Sequence, residues 1–411
     1  MAFYFGQFGK SDMKTQTALI HDPRHAPQYI DSLQPPVYRA STIVFKDTAQ
    51  LLNRHWTDRY DYSYGTHGTP STYTLGDQIA RMDGGEYCLL APSGLSAINL
   101  VNSTFLSTGD EVWLPDNVYG PNSDHVEFLQ NNYGIIPKVY DPLDASTFEP
   151  SAQCKLIWLE AAGSVTLEFP DLQGLIKKAK AHGILTAIDH TWGASLAFSP
   201  FAIGDEALAV DIAVHALTKY PSGGGDVLMG SVVTKDKALH TKLLRTHARQ
   251  GISVSADDCA TVYRSLPSMA MRYAKQSETC LELLDFLKNK PQIAQVLHPA
   301  TADNASHQFW QQNCLTAKSA GLVSVIMDKR YSWADVCRFV DALKLFKIGF
   351  SWGGATSLVM LYDIKKMRRL THHHLADGYL VRFCIGLEDV SDLMADIEQA
   401  LNVLKLDEKT N

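Results

Sequence analysis

Asp211-Ile212-Ala213-Val214-His215, a short apolar run of strand character, leads through Ala216-Leu217 into Thr218-Lys219-Tyr220-Pro221-Ser222-Gly223-Gly224-Gly225-Asp226. A lysine at the end of a buried strand, facing a glycine-rich turn, has little room to carry its ammonium into water. Desolvation makes such an amine easier to hold neutral and nucleophilic, as a Schiff base with an aldehyde cofactor requires. A lysine held in an internal salt bridge fits the same motif, so Lys219 alone leaves both readings open.

Upstream, Ile184-Leu185-Thr186-Ala187-Ile188-Asp189 is an apolar run of strand length that ends on a carboxylate. His190-Thr191-Trp192-Gly193 follow it. An acid at the carboxyl end of a buried strand can pair with a pyridinium nitrogen and keep that ring protonated, the electron sink of pyridoxal phosphate chemistry. Standing alone, Asp189 would read as the N-cap of the next helix. Beside a second strand that ends near Lys219, the cofactor reading is the stronger one.

Working outward, strands are expected at Cys88–Ala91, Glu111–Leu114, Lys155–Glu160, Ile184–Asp189, Asp211–His215 and Gly230–Thr234. Helical patterns fill several gaps, as over Leu172–His182 with Gly183 as its C-terminal cap. Near-continuous apolar strands alternating with helices predict an α/β fold, a mostly parallel sheet covered on both faces. In such sheets ligands gather at the carboxyl ends of the strands, where Asp189 and Lys219 fall.

A chain of 411 residues is too long for one ordinary core, so more than one domain is expected. Residues 1–63, with Pro23, Pro27, Pro35 and Pro36, read as an N-terminal arm that docks on a neighbouring subunit. Residues 64–265 hold the cofactor-binding pattern. From about Leu266 to the end, residues 266–411 read as a smaller α+β domain. Its elements are a helix over Tyr273–Lys290, strands at Leu322–Met327 and Leu358–Tyr362, and a closing amphipathic helix. In that last helix Val390, Leu393, Met394, Ile397, Leu401 and Leu404 share a stripe.

Composition narrows the function. A hydrophobic content of 45% with 20% charged residues describes a globular chain. A net charge of −7 argues against nucleic acid or an anionic membrane as partner. No apolar run reaches bilayer-spanning length, and Met1–Lys10 lacks the pattern of a secretion signal. Seven scattered cysteines with no Cys-x-x-Cys pair read as buried free thiols in a reducing cytoplasm. His372-His373-His374 reads as a solvated loop rather than a metal tract, because adjacent histidines point in different directions. No metal is expected.

Three further positions carry chemistry. The strand Cys88–Ala91 runs into Pro92-Ser93-Gly94-Leu95-Ser96-Ala97, a small-residue turn opening a helix whose exposed amides would receive a phosphate. Tyr119, after the strand Glu111–Leu114, would stack on a cofactor ring or serve as a packed surface aromatic. Arg382, in Leu380-Val381-Arg382-Phe383-Cys384-Ile385, needs an anion, either an internal carboxylate or the carboxylate of a substrate.

These stretches, with Tyr64-Gly65 and Gly68-Thr69, Asn117-Val118-Tyr119, Gly163-Ser164-Val165-Thr166, Ile188-Asp189-His190-Thr191-Trp192, Ser351-Trp352-Gly353-Gly354 and Ile385-Gly386-Leu387-Glu388-Asp389-Val390, carry a resemblance over nearly the whole chain. The sequence resembles the Cys/Met-metabolism family of pyridoxal 5′-phosphate enzymes, of fold type I. Within it, the chain is most similar to the bacterial β-lyases, on the strength of the Ser-Trp-Gly-Gly run.

The resemblance implies Lys219 as the Schiff-base lysine and proton shuttle, with Asp189 under the pyridine nitrogen. Tyr119 would stack on the ring and share in proton transfer, and Thr191 would line the cofactor site. Gly94, Leu95 and Thr218 would hold the phosphate, reached by Tyr64 from a neighbouring subunit. Arg382 and Ser351 would bind the substrate carboxylate, with the Trp352 backbone alongside. The implied activity is carbon–sulfur β-elimination of L-cystathionine to homocysteine, pyruvate and ammonia, by a homo-oligomer, with a dimer of dimers favoured. γ-Elimination or γ-replacement within the family is the nearest alternative, and a cofactor-free binding protein on the same scaffold a more distant one. Two departures stand out. Thr66, followed by His67, occupies the place of a family arginine that clamps the phosphate across subunits, and Ala216 that of a phosphate-binding serine. A neutral hydroxyl cannot replace a bidentate cation, so weaker cofactor retention is expected.

Overall fold

A computed structural model describes residues 32–404 except 59, 205–207, 315–317 and 371–372, together with residues 14, 17, 19 and 20. Two sheets organise the chain. The larger has seven strands in the order β1-β7-β6-β5-β4-β2-β3. These are β1 (Tyr87–Ala91), β2 (Glu111–Pro115), β3 (Ile136–Tyr140), β4 (Cys154–Glu160), β5 (Leu185–Asp189), β6 (Ile212–His215) and β7 (Gly230–Thr234). Strand β7 runs antiparallel to β1 and β6, and the other pairings are parallel. The mostly parallel α/β sheet expected from the apolar runs is therefore present, with strand ends within a residue or two of those expected.

The sheet is buried on both faces because its strands are apolar on both. One face carries Ile157, Leu159, Ile188, Ala213 and Val233 into a large core cluster. The alternating residues Leu156, Trp158, Ala187, Val214 and Val232 fill a second cluster on the other face. Helices cover them: α1 (Pro70–Asp83), α2 (Gly94–Phe105), α3 (Gly120–Tyr133), α4 (Leu172–Ala181) and α5 (Lys237–Arg249). Helix α4 is capped by the Asp171 side chain and stopped by Gly183 at φ 67°, a left-handed conformation that favours glycine.

The second sheet has five strands in the order β10-β11-β12-β9-β8, comprising β8 (Ile293–Leu297), β9 (Leu322–Met327), β10 (Lys347–Ile348), β11 (Leu358–Tyr362) and β12 (Leu380–Cys384). Its core includes Val323, Val325, Val359, Val381 and Phe383. The closing helix α8 (Val390–Leu401) buries Leu393, Ile397 and Leu401, and Leu404 follows in a short 3-10 turn. Trp333–Asp341 forms α7.

Three expectations need correcting. The helix expected over Tyr273–Lys290 is α6, Ala256–Lys288, and it crosses position 266 without interruption. Cys259, Val262, Leu266 and Tyr273 on it pack into the core of the larger sheet, and Cys280, Leu283 and Leu287 into the core of the smaller. A mid-helix proline, Pro267, disguised its start, since proline lacks the amide an interior turn uses. Strand β3 was not anticipated: it is an edge strand containing Pro137, with exposed alternate residues and no continuous apolar run. The histidine tract is also not wholly solvated. His372 lies outside the described residues and His373 is exposed, but His374 Nε2 lies 3.1 Å from Glu168 Oε1. All seven cysteines are free, six buried and Cys337 half-buried. Pro23 and Pro27 of the expected arm lie outside the described residues. No helix among the described residues is long and apolar enough to cross a membrane.

Candidate active site

Parallel strands β4, β5 and β6 end on the same side of the sheet, and the loops that leave them wall a cleft. Its lining includes Gly94, Leu95, Tyr119, Glu160, Asp189, Thr191, Trp192, Ala216, Thr218, Lys219, Trp352 and Arg382. Nine of the site residues expected from the sequence thus converge there, with Ala216 beside them. Ser351 touches the cleft through Lys219. Tyr64 does not line it and is 47% exposed.

The Lys219 side chain crosses from the larger sheet to the Ser351–Gly354 segment. Its Nζ donates to Ser351 Oγ at 2.7 Å and lies 4.6 Å from the Trp352 ring centroid. Burial lowers the amine to about 8, and the nearby Arg382 charge adds to the shift. The salt-bridged alternative for Lys219 is not what the side chain adopts, for its hydrogen bond goes to a neutral hydroxyl. Close backbone approach holds the two segments together. Gly353, at φ 80°, would place a Cβ 2.8 Å from the Tyr220 nitrogen, so a side chain there would force them apart.

Asp189 ends β5 and accepts the Thr191 amide at Oδ1, 3.0 Å away, while Thr191 Oγ1 accepts the Ala216 amide. Asp189 keeps some solvent contact through the cleft, yet its packing raises the carboxyl, opposed by the Thr191 hydrogen bonds and the His190 and Lys219 charges. Glu160, its register partner on β4, was not singled out in the sequence. It is buried and accepts the Tyr119 amide at 2.7 Å. Burial, with the Asp189 charge second, pushes it up to about 8. The signal that marks Asp189, a carboxylate closing a buried apolar strand, was equally present at Glu160. Tyr119 precedes α3, 36% exposed, with its hydroxyl raised by burial and by the two carboxylates.

The start of α2 opens onto the cleft. Ser93 accepts the Ser96 amide at 3.0 Å, leaving the amides of Gly94 and Leu95 at the helix mouth. A Cβ on Gly94 would lie 2.7 Å from the Ala216 Cβ, so the helix end is pressed against the loop after β6. Thr218 lines the cleft, but its hydroxyl is engaged with the Met229 backbone, donating to O at 3.2 Å and accepting from N at 3.0 Å.

Arg382, at the middle of β12, is 5% exposed, and its Nε has no hydrogen-bond partner. The guanidinium sits 5.5 Å from the Trp352 ring and 5.4 Å from the Tyr362 ring. It forms no ion pair with a carboxylate among the described residues, whereas the cleft beside it is open.

The residues present suit pyridoxal phosphate on three structural grounds. An amine of lowered basicity and a carboxylate closing a neighbouring strand line the same cleft. A helix mouth offers two amides on the same wall. A buried arginine nitrogen stands unpaired where a substrate carboxylate would reach. The family model for Cys/Met metabolism PLP-dependent enzymes matches residues 16–402, and the chain belongs to that family, with pyridoxal phosphate as its cofactor and the type I fold. Among its relatives, a cystathionine beta-lyase of Bordetella avium is 36% identical over 89% of this chain and 91% of its own. An L-alanine/L-glutamate racemase of Wolbachia pipientis wMel is 31% identical over 95% of this chain and 97% of its own. The structure is also similar to a cystathionine gamma synthase of Xanthomonas oryzae pv. oryzae in complex with aminoacrylate and cysteine. That match has TM-score 0.82 and 26% identity, over 95% of this chain and 98% of that one.

Proposed function

We propose that this chain is a carbon–sulfur lyase that cleaves L-cystathionine by β-elimination, releasing homocysteine, with the remaining three carbons hydrolysed to pyruvate and ammonia. The observation that carries this reading is the Ser351-Trp352-Gly353-Gly354 segment packed directly against Lys219, the segment that most resembles β-lyases. Similarity to the Bordetella cystathionine beta-lyase supports it.

When bound, pyridoxal phosphate supplies a protonated ring that accepts the electron pair left at the substrate Cα. In our reading Lys219 Nζ would hold the cofactor aldehyde, and with substrate bound that amine would be free for proton transfer. With its basicity lowered to about 8, the freed Nζ takes the Cα proton and returns it to the departing sulfur as the Cβ–S bond breaks. Asp189 would hold the ring nitrogen in its charged form, and the amides of Gly94 and Leu95 would receive the phosphate. Arg382 grips the substrate carboxylate through its unpaired edge. Ser351, already bonded to Lys219 Nζ, is placed to pass from the lysine to that carboxylate.

The proposed homo-oligomer rests on the surface before the larger sheet. Leu33 and Val44 are each 88% exposed, Leu52 is 78% exposed, and Tyr64 does not line the cleft of its own subunit. A partner subunit covering this surface would bring Tyr64 to the phosphate site of the neighbouring cleft.

Product analysis tests the activity. Pyruvate from cystathionine supports β-elimination, and 2-oxobutyrate would move the assignment to the γ-branch. The Wolbachia relative motivates a second reading, amino-acid racemisation, which uses the same Cα proton. Return of the proton from the other face would fall to Tyr119, whose raised hydroxyl pKa makes it a weaker proton donor. D-Alanine or D-glutamate appearing from the L-isomers, by chiral chromatography, would establish that activity.

A further inference from the structure

Beneath the cleft, on the opposite face of the larger sheet, lies a group of polar side chains that the proposed chemistry does not use. Asp189 faces the cleft, and strand alternation turns the next residue, His190, to the other side. There it meets His215, at the end of β6, and Asp83, the last residue of α1. All three are fully buried, with 0% exposure each. One ligand atom from each lies within 4.8 Å of the others. His190 Nε2 stands 3.2 Å from Asp83 Oδ2, within ion-pair range. The two imidazoles are 4.7 Å apart by ring centroid, tilted 59° to one another, so they do not stack.

Beyond that pair, three buried ring nitrogens are left without partners here: His190 Nδ1 and both nitrogens of His215. The Ser231 hydroxyl, opposite His215 in the β6–β7 register, is a fourth unpartnered atom. A buried polar atom without a partner is costly, and so many in one place call for a common one. A proton could join His190 to Asp83, but it would leave both His215 nitrogens and Ser231 unserved. A divalent cation would serve all three side chains at once. Nitrogen and oxygen ligands ~2.1 Å from zinc stand ~3.4 Å apart at tetrahedral angles, close to the His190–Asp83 spacing. Ser195 Oγ donates to Asp83 Oδ1 at 2.7 Å, turning Oδ2 towards His190. Carboxylate ligands are commonly oriented by such a hydrogen bond.

We propose that Asp83, His190 and His215 form a buried site for one divalent transition cation of zinc's class, with the fourth position towards Ser231. The site would tie the end of α1 to β5 and β6 directly under the cofactor, a structural role separate from the elimination chemistry.

The test uses the holoenzyme, expressed with zinc supplied, passed through chelator and assayed for all first-row metals by mass spectrometry. About one equivalent per chain is expected. His215→Gln should retain less than about a tenth of that, and Ser195→Ala should lower metal affinity ~10–100-fold. Because His215→Gln could fail to fold, the wild type is also refolded with Co2+. Tetrahedral d–d bands to the red of the cofactor absorption are expected there. Substoichiometric metal in the wild type together with no cobalt bands would overturn the proposal and leave a proton-bridged pair. So would unchanged metal content in a folded His215→Gln variant.

Discussion

Glu160 and Asp189 stand side by side as register partners at the carboxyl ends of β4 and β5, two carboxylates on one wall of the cleft. Both cannot ionise cheaply so close together and so poorly solvated. Burial raises both carboxyls, and Glu160, the more deeply buried, is pushed up to about 8. In the proposed arrangement Glu160 carries the proton, and Asp189 is left as the anion that faces the cofactor ring.

That division has a measurable sign. A carboxyl with a folded-state pKa near 8 holds a proton that the unfolded chain has already lost above its ordinary value of 4.5. The unfolded state then binds fewer protons, so stability falls as pH rises between those two values. Glu160→Gln keeps an acceptor for the Tyr119 amide and removes the titration. Thermal unfolding of the apoprotein should lose part of its decline between pH ~5 and ~8 in this variant. An unchanged pH profile would contradict the protonated state of Glu160.

Glu168 behaves in the opposite sense and joins the two halves of the chain. Its Oε2 accepts from Asn117 Nδ2 at 2.9 Å and from Thr166 Oγ1 at 2.5 Å, and Oε1 faces His374. Burial works against its charge, but these groups and Arg368 outweigh it and hold the carboxyl down at about 2. The stability it contributes is present above the ordinary carboxylate range and lost as pH falls towards 2. Glu168→Ala should cost about 3–5 kcal/mol in denaturant unfolding, as removal of one partner from a buried ionic network does. A loss below about 1 kcal/mol would show that the network is not cooperative.

Arg382 separates binding from chemistry. Arg382→Ala should lower kcat/KM for cystathionine by ~30–1,000-fold, mostly through KM, as loss of one member of a buried charge pair does. Arg382→Lys should recover little, because a point charge cannot reproduce the planar fork held between Trp352 and Tyr362. An unchanged specificity constant in either variant would remove Arg382 from the substrate site.

The family resemblance puts Thr66 at the place of a phosphate-clamping arginine. Thr66→Arg should slow cofactor release, by ~10-fold or more if one charge-assisted contact is gained. Dialysis followed by absorbance of the retained cofactor measures it, and equal retention in both proteins would count against weak phosphate grip in the wild type.

Much of this arrangement was legible in the residues. Strands β4 to β7 announced themselves as apolar runs because both of their faces are buried, and Asp189 and Lys219 stand at or just past such runs. What escaped lacked that signature. Strand β3 sits at an edge, half exposed, and α6 carries a proline inside it. The link from His374 to Glu168 joins positions 206 residues apart. Asp83, His190 and His215 share no spacing motif at all, since three separate elements bring them together. Local pattern reports what a segment buries; it does not report which distant segments meet.

The anchoring of the cofactor on Lys219 underlies every catalytic statement above, and chemical trapping tests it most directly. Borohydride reduction of the holoenzyme, followed by peptide mass mapping, should place a phosphopyridoxyl group on the peptide containing Thr218-Lys219-Tyr220. Lys219→Ala should lose both that label and pyruvate formation from cystathionine, the latter by at least about a thousandfold. A label on another lysine, or turnover retained in Lys219→Ala, would contradict the account.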